Sequence, residues 1–282
     1  MLPLFSYLAA RSKQEALSSL ASLTGAALLA GGTDLLVRMR KGETHRHLID
    51  LGGVAELAGV TEEGGTLRLG GGTTHGRIAS DPIVRRTCGS LASACSLVGS
   101  PQIRNMGTLG GNLVNASPAA DSIAPLLVHN AVVTLESMDG ERVEQLERFI
   151  AGPYRTTIGS REILTSVKVE ALGGYHEGYR RIARRAGWAI SRLSVAWALA
   201  AGEGIFTDVR IAVGSCTPVP FRPRSAEAFL EGKGRERPVV EEAVRMVLDE
   251  IRRISGMRPS FAYKLPVVRD LLLSVLGGDA CS

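Results

Sequence analysis

The stretch "QIRNMGTLGGNLVNASPAAD", Gln102 to Asp121, decides how this chain is read. It places Thr108 before the pair Gly110-Gly111, follows them with Asn112, and ends on Asp121. A second pair stands upstream in "AGGTDLLVRMR", Ala30 to Arg40, and a third cluster in "GGGTTHG", Gly70 to Gly76. Glycines ahead of a polar residue let the backbone approach a ligand closely. They also permit positive φ, so that successive N–H groups converge on an anion. The pattern predicts a diphosphate held from two sides. Thr33 and the N–H groups around it would stand on one side, and Thr108, the N–H groups of Gly110 and Gly111 and the Asn112 amide on the other. Gly70 to Gly76 could add a wall, and the short helix predicted near Asp121 its N-terminal dipole. A lone Gly-Gly-Thr is usually a turn; three clusters are harder to dismiss. No GxGxxG and no GxxxxGK[ST] occurs, which excludes the common dinucleotide and P-loop signatures. Residue physics alone reaches a binder of a diphosphate-containing ligand.

Composition narrows the setting. The 282 residues are 45% hydrophobic and 22% charged, ordinary for a soluble globular chain. No apolar run approaches a membrane span. "MLPLFSYLAARSK" lacks the basic start and cleavage site of a secretory signal, so a cytoplasmic location is expected. The net charge of +5 is dispersed, apart from "RRIARR" at Arg180 to Arg185, and few aromatics accompany it. Nothing resembles a nucleic-acid recognition module. Cys88, Cys95, Cys216 and Cys281 form no CxxC, and the histidines form no HExxH-like pair, so no iron–sulfur or zinc site is expected in this chain. Cys88 and Cys95, two helical turns apart, are expected to be small core residues.

Helix-like and strand-like segments alternate, which predicts an α/β or α+β chain. Ser12 with Glu15 forms a capping-box pattern, followed by Ala16, Leu17, Leu20 and Leu23 at helical spacing. Strands are predicted at Ala26 to Ala30, His47 to Leu51, Leu67 to Gly72, Ala131 to Ser137 and Glu162 to Glu170. Asp139-Gly140 marks a hairpin. Helices are predicted from Pro82 to Val98 and from Asp121 to Val128, and "SRLSVAWALAA" (Ser191 to Ala201) reads as an apolar helix. "FTDVRIAVGSC" alternates as a strand. Pro238 is expected to start a long helix, and Ala262 to Leu276 another.

The quoted loops, with "LIDL", "LRLGGGTTHGRIA" and "EILTSVKV", stand in the order and spacing of a known family. The chain resembles the FAD-binding medium subunit of molybdenum hydroxylases, the group of xanthine dehydrogenase and aerobic carbon monoxide dehydrogenase. The resemblance implies an α+β fold: two α/β subdomains of the vanillyl-alcohol-oxidase-like FAD fold, at residues 1–53 and 54–170, and a C-terminal α+β domain at 171–282 like that of the carbon monoxide dehydrogenase flavoprotein. It implies non-covalent FAD. Ala30, Gly31, Gly32, Thr33, Asp34 and Leu35 would wrap the pyrophosphate, and Thr108, Gly110, Gly111 and Asn112 would meet it from the other loop. Asp121 matches a family aspartate on the FAD, although as a plain residue it could equally cap the next helix. Leu164 matches a residue packed near the flavin, and Arg180, which falls where many members have Lys, would bind the cofactor near the ring. Val98 stands where xanthine dehydrogenase has an aromatic ring. Asn115 and Ser117 are secondary candidates, while Gln102 and Arg104 would shape the loop. His75 could serve a covalent flavin link, an option set aside in favour of free FAD.

By the same resemblance, molybdopterin would reside on a large partner subunit and two [2Fe–2S] clusters on a small one. Electrons would pass through FAD to NAD+, oxygen or another acceptor. No side chain here need act as a general acid or base, so no catalytic residue is expected. The competing expectation is a stand-alone flavin-dependent oxidoreductase of the same fold.

Overall fold

The computed structural model describes residues 3–185 and 189–278. Three sheets organise it. The first combines β1 (Ser6–Ala9), α1 (Lys13–Ser22), β2 (Ala26–Leu29), α2 (Leu35–Arg40) and β3 (His47–Asp50), with β3 in the middle and both neighbours parallel to it. Ser12 caps α1 by accepting from the Glu15 N–H at 3.1 Å. Glu15 returns to the Arg11 N–H at 2.8 Å, one residue before the cap itself. Ala16, Leu17 and Leu20 are buried, as a helix face repeating every three to four residues requires.

The second sheet has the order β4-β5-β10-β6-β7 and is antiparallel throughout. Its strands are β4 (Val60–Glu63), β5 (Thr66–Gly70), β6 (Val132–Ser137), β7 (Gly140–Gln145) and β10 (Ile163–Glu170). Six short helices intervene between β5 and β6: α3 (His75–Ser80), α4 (Pro82–Thr87), α5 (Gly89–Leu97), α6 (Pro101–Met106), α7 (Leu109–Asn115) and α8 (Ile123–Val128). The stretch predicted as one helix from Pro82 breaks at Cys88, whose φ of −151° is not helical. Asp81 caps the first half through the N–H groups of Ile83 and Val84. Leu67, Leu69, Val133, Leu135, Val167 and Val169 share one buried cluster with Cys88, Cys95 and the helices. A short helix α9 (Leu146–Phe149) and the ribbon of β8 (Ile150–Gly152) and β9 (Arg155–Thr156) fill the path to β10.

The third sheet corrects the sequence reading. Ser191 to Ala201 is not a helix but most of β12 (Ser191–Gly202), paired antiparallel with β11 (His176–Ala183) and β13 (Ile205–Gly214). Leu193, Val195, Trp197 and Leu199 face α10 (Arg224–Leu230), α11 (Arg237–Ser255) and α12 (Phe261–Gly277) in one core. Ala196 and Ala198, with Ala212 of β13, belong to the other core, against α5 and α8. A strand buried on both faces loses its polar alternation, and its sequence then mimics a buried helix. α11 begins at Arg237, so Pro238 occupies its second position rather than its first, still within the turn whose N–H groups lack helical partners. Cys281 lies outside the described residues; Cys88, Cys95 and Cys216 are buried free thiols. No helix among the described residues is long and apolar enough to cross a membrane.

Candidate cofactor site

The glycine loops meet. Gly31 follows β2, and a Cβ built on it would lie 2.0 Å from the Met106 carbonyl oxygen and 2.8 Å from the Gly107 Cα. Only glycine permits that approach between two backbones. The next residue, Gly32, has φ +68°, the left-handed region, and so turns the chain into α2. Thr33 stands on the same spot: a Cβ on Gly107 would lie 3.5 Å from its hydroxyl oxygen. Thr74 and Thr108 face each other across an antiparallel bridge, with His75 N–H donating to Gly107 O at 3.0 Å and Leu109 N–H to Thr73 O at 2.9 Å. Each threonine caps its helix, Thr74 toward Arg77 N–H and Thr108 toward Gly111 N–H. The junction thus gathers residues 31–34, 73–75 and 106–108.

The N–H groups at this junction divide into two kinds. Gly110 donates to Gly71 O at 2.8 Å, and Gly111 to the Thr108 hydroxyl at 3.1 Å. These two groups, expected to face an anion, therefore point inward. A Cβ on Gly110 would sit 2.8 Å from Gly71 O, so this glycine serves the contact between α7 and the third cluster. The three leading glycines of that cluster point inward too: Gly70, Gly71 and Gly72 donate to the carbonyls of Gly59, Thr165 and Leu57 at 2.9, 2.8 and 2.7 Å. By contrast, among the described residues the N–H groups of Gly31, Gly32, Thr33 and Asp34 make no hydrogen bond. Four consecutive unsatisfied donors on a partly exposed turn must be met by water or a ligand. Asn112 accepts from the Ser122 hydroxyl at 2.7 Å through its Oδ1, which leaves its amide nitrogen without a protein partner.

Asp121 lies at the seam with the third sheet and is 7% exposed. It does not cap α8, whose N-cap is Ser122. Its carboxylate accepts from Tyr179 Oη at 2.5 Å, from Arg181 at 2.7 Å and from Ser191 Oγ at 2.5 Å. Burial and the facing carboxylate hold the Tyr179 hydroxyl well above its ordinary pKa. Tyr179 and Arg181 alternate with Arg180 along β11. Arg180 therefore lies on the opposite side of the strand, paired with Val195 on the face toward α11 and α12, and is exposed. The structure does not bring Arg180 to Asp121; Arg181 takes that place. Sequence reasoning missed Tyr179, Arg181 and Ser191; the strand alternation of "YRR" was a signal for the first two, while Ser191 arrives from β12 with no local signal.

Leu164 is buried beside the third glycine cluster, where a Cβ on Gly71 would lie 2.2 Å from its carbonyl oxygen. Arg104 donates to the carbonyls of Val98 and Gly99 at 3.0 and 3.2 Å, and so holds the turn that leads into α6. Asn115 accepts from Arg38 at 2.7 Å, which ties α2 to the end of α7. Ser117 accepts from the Ala119 N–H at 3.3 Å, a local turn contact.

Residues 3–170 match the family described as the FAD binding domain in molybdopterin dehydrogenase, and residues 178–277 match the carbon monoxide dehydrogenase flavoprotein C-terminal domain. The chain belongs to this flavoprotein family. It is 31% identical to the putative xanthine dehydrogenase FAD-binding subunit of Escherichia coli (strain K12), over 96% of this chain and 94% of that one. The carbon monoxide dehydrogenase medium chain of Hydrogenophaga pseudoflava is 30% identical over 97% and 96%. Among solved structures, quinoline 2-oxidoreductase from Pseudomonas putida 86 superposes with a TM-score of 0.91 at 26% identity, over 100% of both chains. As a member of the family, the chain carries an FAD-binding domain and is the flavoprotein part of an oxidoreductase of the xanthine and carbon monoxide dehydrogenase type. The flavoprotein's junction fits such a cofactor: four free backbone donors and a hydroxyl, with no lysine required, suit a diphosphate.

Proposed function

We propose that this flavoprotein is the electron-transfer subunit of a molybdenum hydroxylase, placed between [2Fe–2S] clusters on a small partner subunit and an external acceptor. The row of free N–H groups from Gly31 to Asp34, held against Met106 and Gly107, is the observation that carries the reading. Ala30 to Leu35 would wrap the diphosphate, non-covalently. Thr108 and the Asn112 amide would approach from the second loop, with Gly110 and Gly111 keeping that loop close. Leu164 would pack near the ring. Asp121 would meet the cofactor with its carboxylate held by Arg181, Tyr179 and Ser191, and Arg180 would remain at the surface. FAD supplies the exchange between single electrons and electron pairs. A large molybdopterin subunit would carry out the hydroxylation, and NAD+ or oxygen would take the electrons. The three-part division at residues 1–53, 54–170 and 171–282 belongs to the same proposal, as does a cytoplasmic location, where buried free thiols persist.

Isolation from the source cells tests it. The chain is expected to be yellow, to release intact FAD on denaturation, and to co-purify with a molybdopterin subunit and an iron–sulfur subunit. Colourless protein that cannot be reconstituted with FAD would overturn the reading. Turnover of a substrate by this chain alone would favour a stand-alone oxidoreductase instead.

A further inference from the structure

His75 begins α3 at the loop junction and is 2% exposed. Its Nδ1 faces the Cys95 sulfur at 3.5 Å. The other edge of the ring faces the junction: a Cβ on Gly107 would lie 3.3 Å from His75 Cδ2 and 3.5 Å from the Thr33 hydroxyl oxygen. Nε2 is bonded to Cδ2 and so belongs to that edge. Among the described residues Nε2 has no hydrogen-bond partner, yet it is not one of the sealed, unpartnered polar atoms. The small remaining surface of the ring therefore includes Nε2.

Burial pushes the Cys95 thiol up, with Cys88 and Asp121 adding to the effect, so the sulfur keeps its hydrogen. The Cys95 S–H can donate to Nδ1, and in that tautomer the proton of the neutral imidazole resides on Nε2. Burial lowers the His75 pKa to about 4, so the ring is neutral at pH 7. The result is an uncharged N–H donor, almost wholly buried, at the edge of the junction that holds Thr33. A buried donor without an acceptor is costly, and a ligand oxygen would relieve that cost.

We propose that His75 Nε2–H donates to the diphosphate of the cofactor, adding a side-chain donor to the backbone row of Gly31 to Asp34. The proposal rests on the reading of the junction as the FAD site. It gives the third glycine cluster a binding role through its histidine, while the N–H groups of Gly70, Gly71 and Gly72 are spent on carbonyls.

The test uses the full chain stripped of flavin and titrated with FAD, and with ADP as a diphosphate lacking the flavin. His75→Leu is expected to weaken FAD binding about ten- to a hundredfold, the worth of one hydrogen bond to a charged group, and to weaken ADP in parallel. His75→Gln, whose amide nitrogen reaches the place of Nε2, should recover most of the affinity. His75→Asn, which stops at the place of Nδ1, should not. Unchanged FAD affinity in His75→Leu, or equal affinity in the Gln and Asn variants, would overturn the proposal. If His75→Leu does not fold, the Gln and Asn pair decides the matter alone. Failure of the unaltered chain to bind FAD would instead overturn the site itself.

Discussion

Glu177 of β11 meets His129, at the end of α8, with an Oε2 to Nε2 separation of 2.9 Å across the seam between the second and third sheets. The imidazole is wholly buried, and its Nδ1 lies 2.8 Å from the Glu170 carbonyl. A ring that faces a carbonyl with one nitrogen and a carboxylate with the other carries both protons. Burial opposes that charge, but the Cys88 sulfur and the Glu177 carboxylate outweigh it and raise the His129 pKa to about 10. Glu177 also accepts from the N–H groups of Gly89 and Ser90 at the start of α5, at 2.7 and 3.2 Å. Burial works against its charge too, but His129 and these N–H groups hold its carboxyl below the usual range. One carboxylate thus fastens the third sheet to two helices of the cofactor-binding part.

The pair predicts a specific pH dependence. A histidine raised from 6.5 to about 10 contributes its full stabilisation below pH 6.5 and loses it as pH climbs toward 10. Glu177, lowered, keeps its contribution above its ordinary pKa and loses it as pH falls through the lowered value. Urea unfolding of the flavin-free chain is expected to show stability declining between pH 6.5 and 10. Glu177→Gln should lower stability at pH 7 by about 3–5 kcal/mol, the cost of stranding a buried partner, and flatten that decline. An unaltered slope in the variant would count against a charged His129.

Gly31→Ala places a Cβ against the Met106 carbonyl and must push the two loops apart. FAD affinity should fall at least about tenfold, since the displaced donors lose their common aim. Gly173→Ala is the control, because a Cβ there meets nothing within 4 Å and its φ is not positive. Fluorescence titration of both variants with FAD checks the difference.

Neighbouring arginines should behave oppositely. Arg181→Ala leaves the Asp121 carboxylate without its cation in a buried place, and should cost about 3–5 kcal/mol. Arg180→Ala acts on an exposed side chain and should stay within about 0.5 kcal/mol. Chemical denaturation of the two variants measures this. Equal effects would contradict the alternation along β11.

The alanine face of the third sheet should resist enlargement. Ala196 and Ala212 are fully buried, and Ala196 opposes Ala212 across β12 and β13. Ala196→Leu should destabilise by about 1–3 kcal/mol through overpacking against the helices below. Thermal unfolding checks it, and a neutral result would argue that this face is loosely packed.

Local features were legible because local rules produce them. Ser12 before Glu15 caps α1, and glycine pairs mark where backbone must bend or approach; the hairpin of β6 and β7 was legible too, although its turn is Met138-Asp139, with Gly140 already paired to Ser137. The family motif around Thr108 to Asp121 carried the cofactor and the α+β fold with it. The strand β12 was not legible, because two cores cover its two faces and erase the alternation that identifies a strand.

The sequence by itself determined which residues could serve the cofactor: two glycine loops, two threonines and an aspartate in a fixed order. Tertiary structure decided which of their groups are free to do so. Gly110 and Gly111 present the same kind of N–H as Gly31 and Gly32, but theirs are taken by Gly71 and by the Thr108 hydroxyl. Arg180 and Arg181 are chemically alike, and only the side of β11 on which each falls brings one to Asp121. The reason is common to both. A hydrogen-bonding group can be satisfied by a partner far along the chain, and its residue type carries no record of whether that partner arrives.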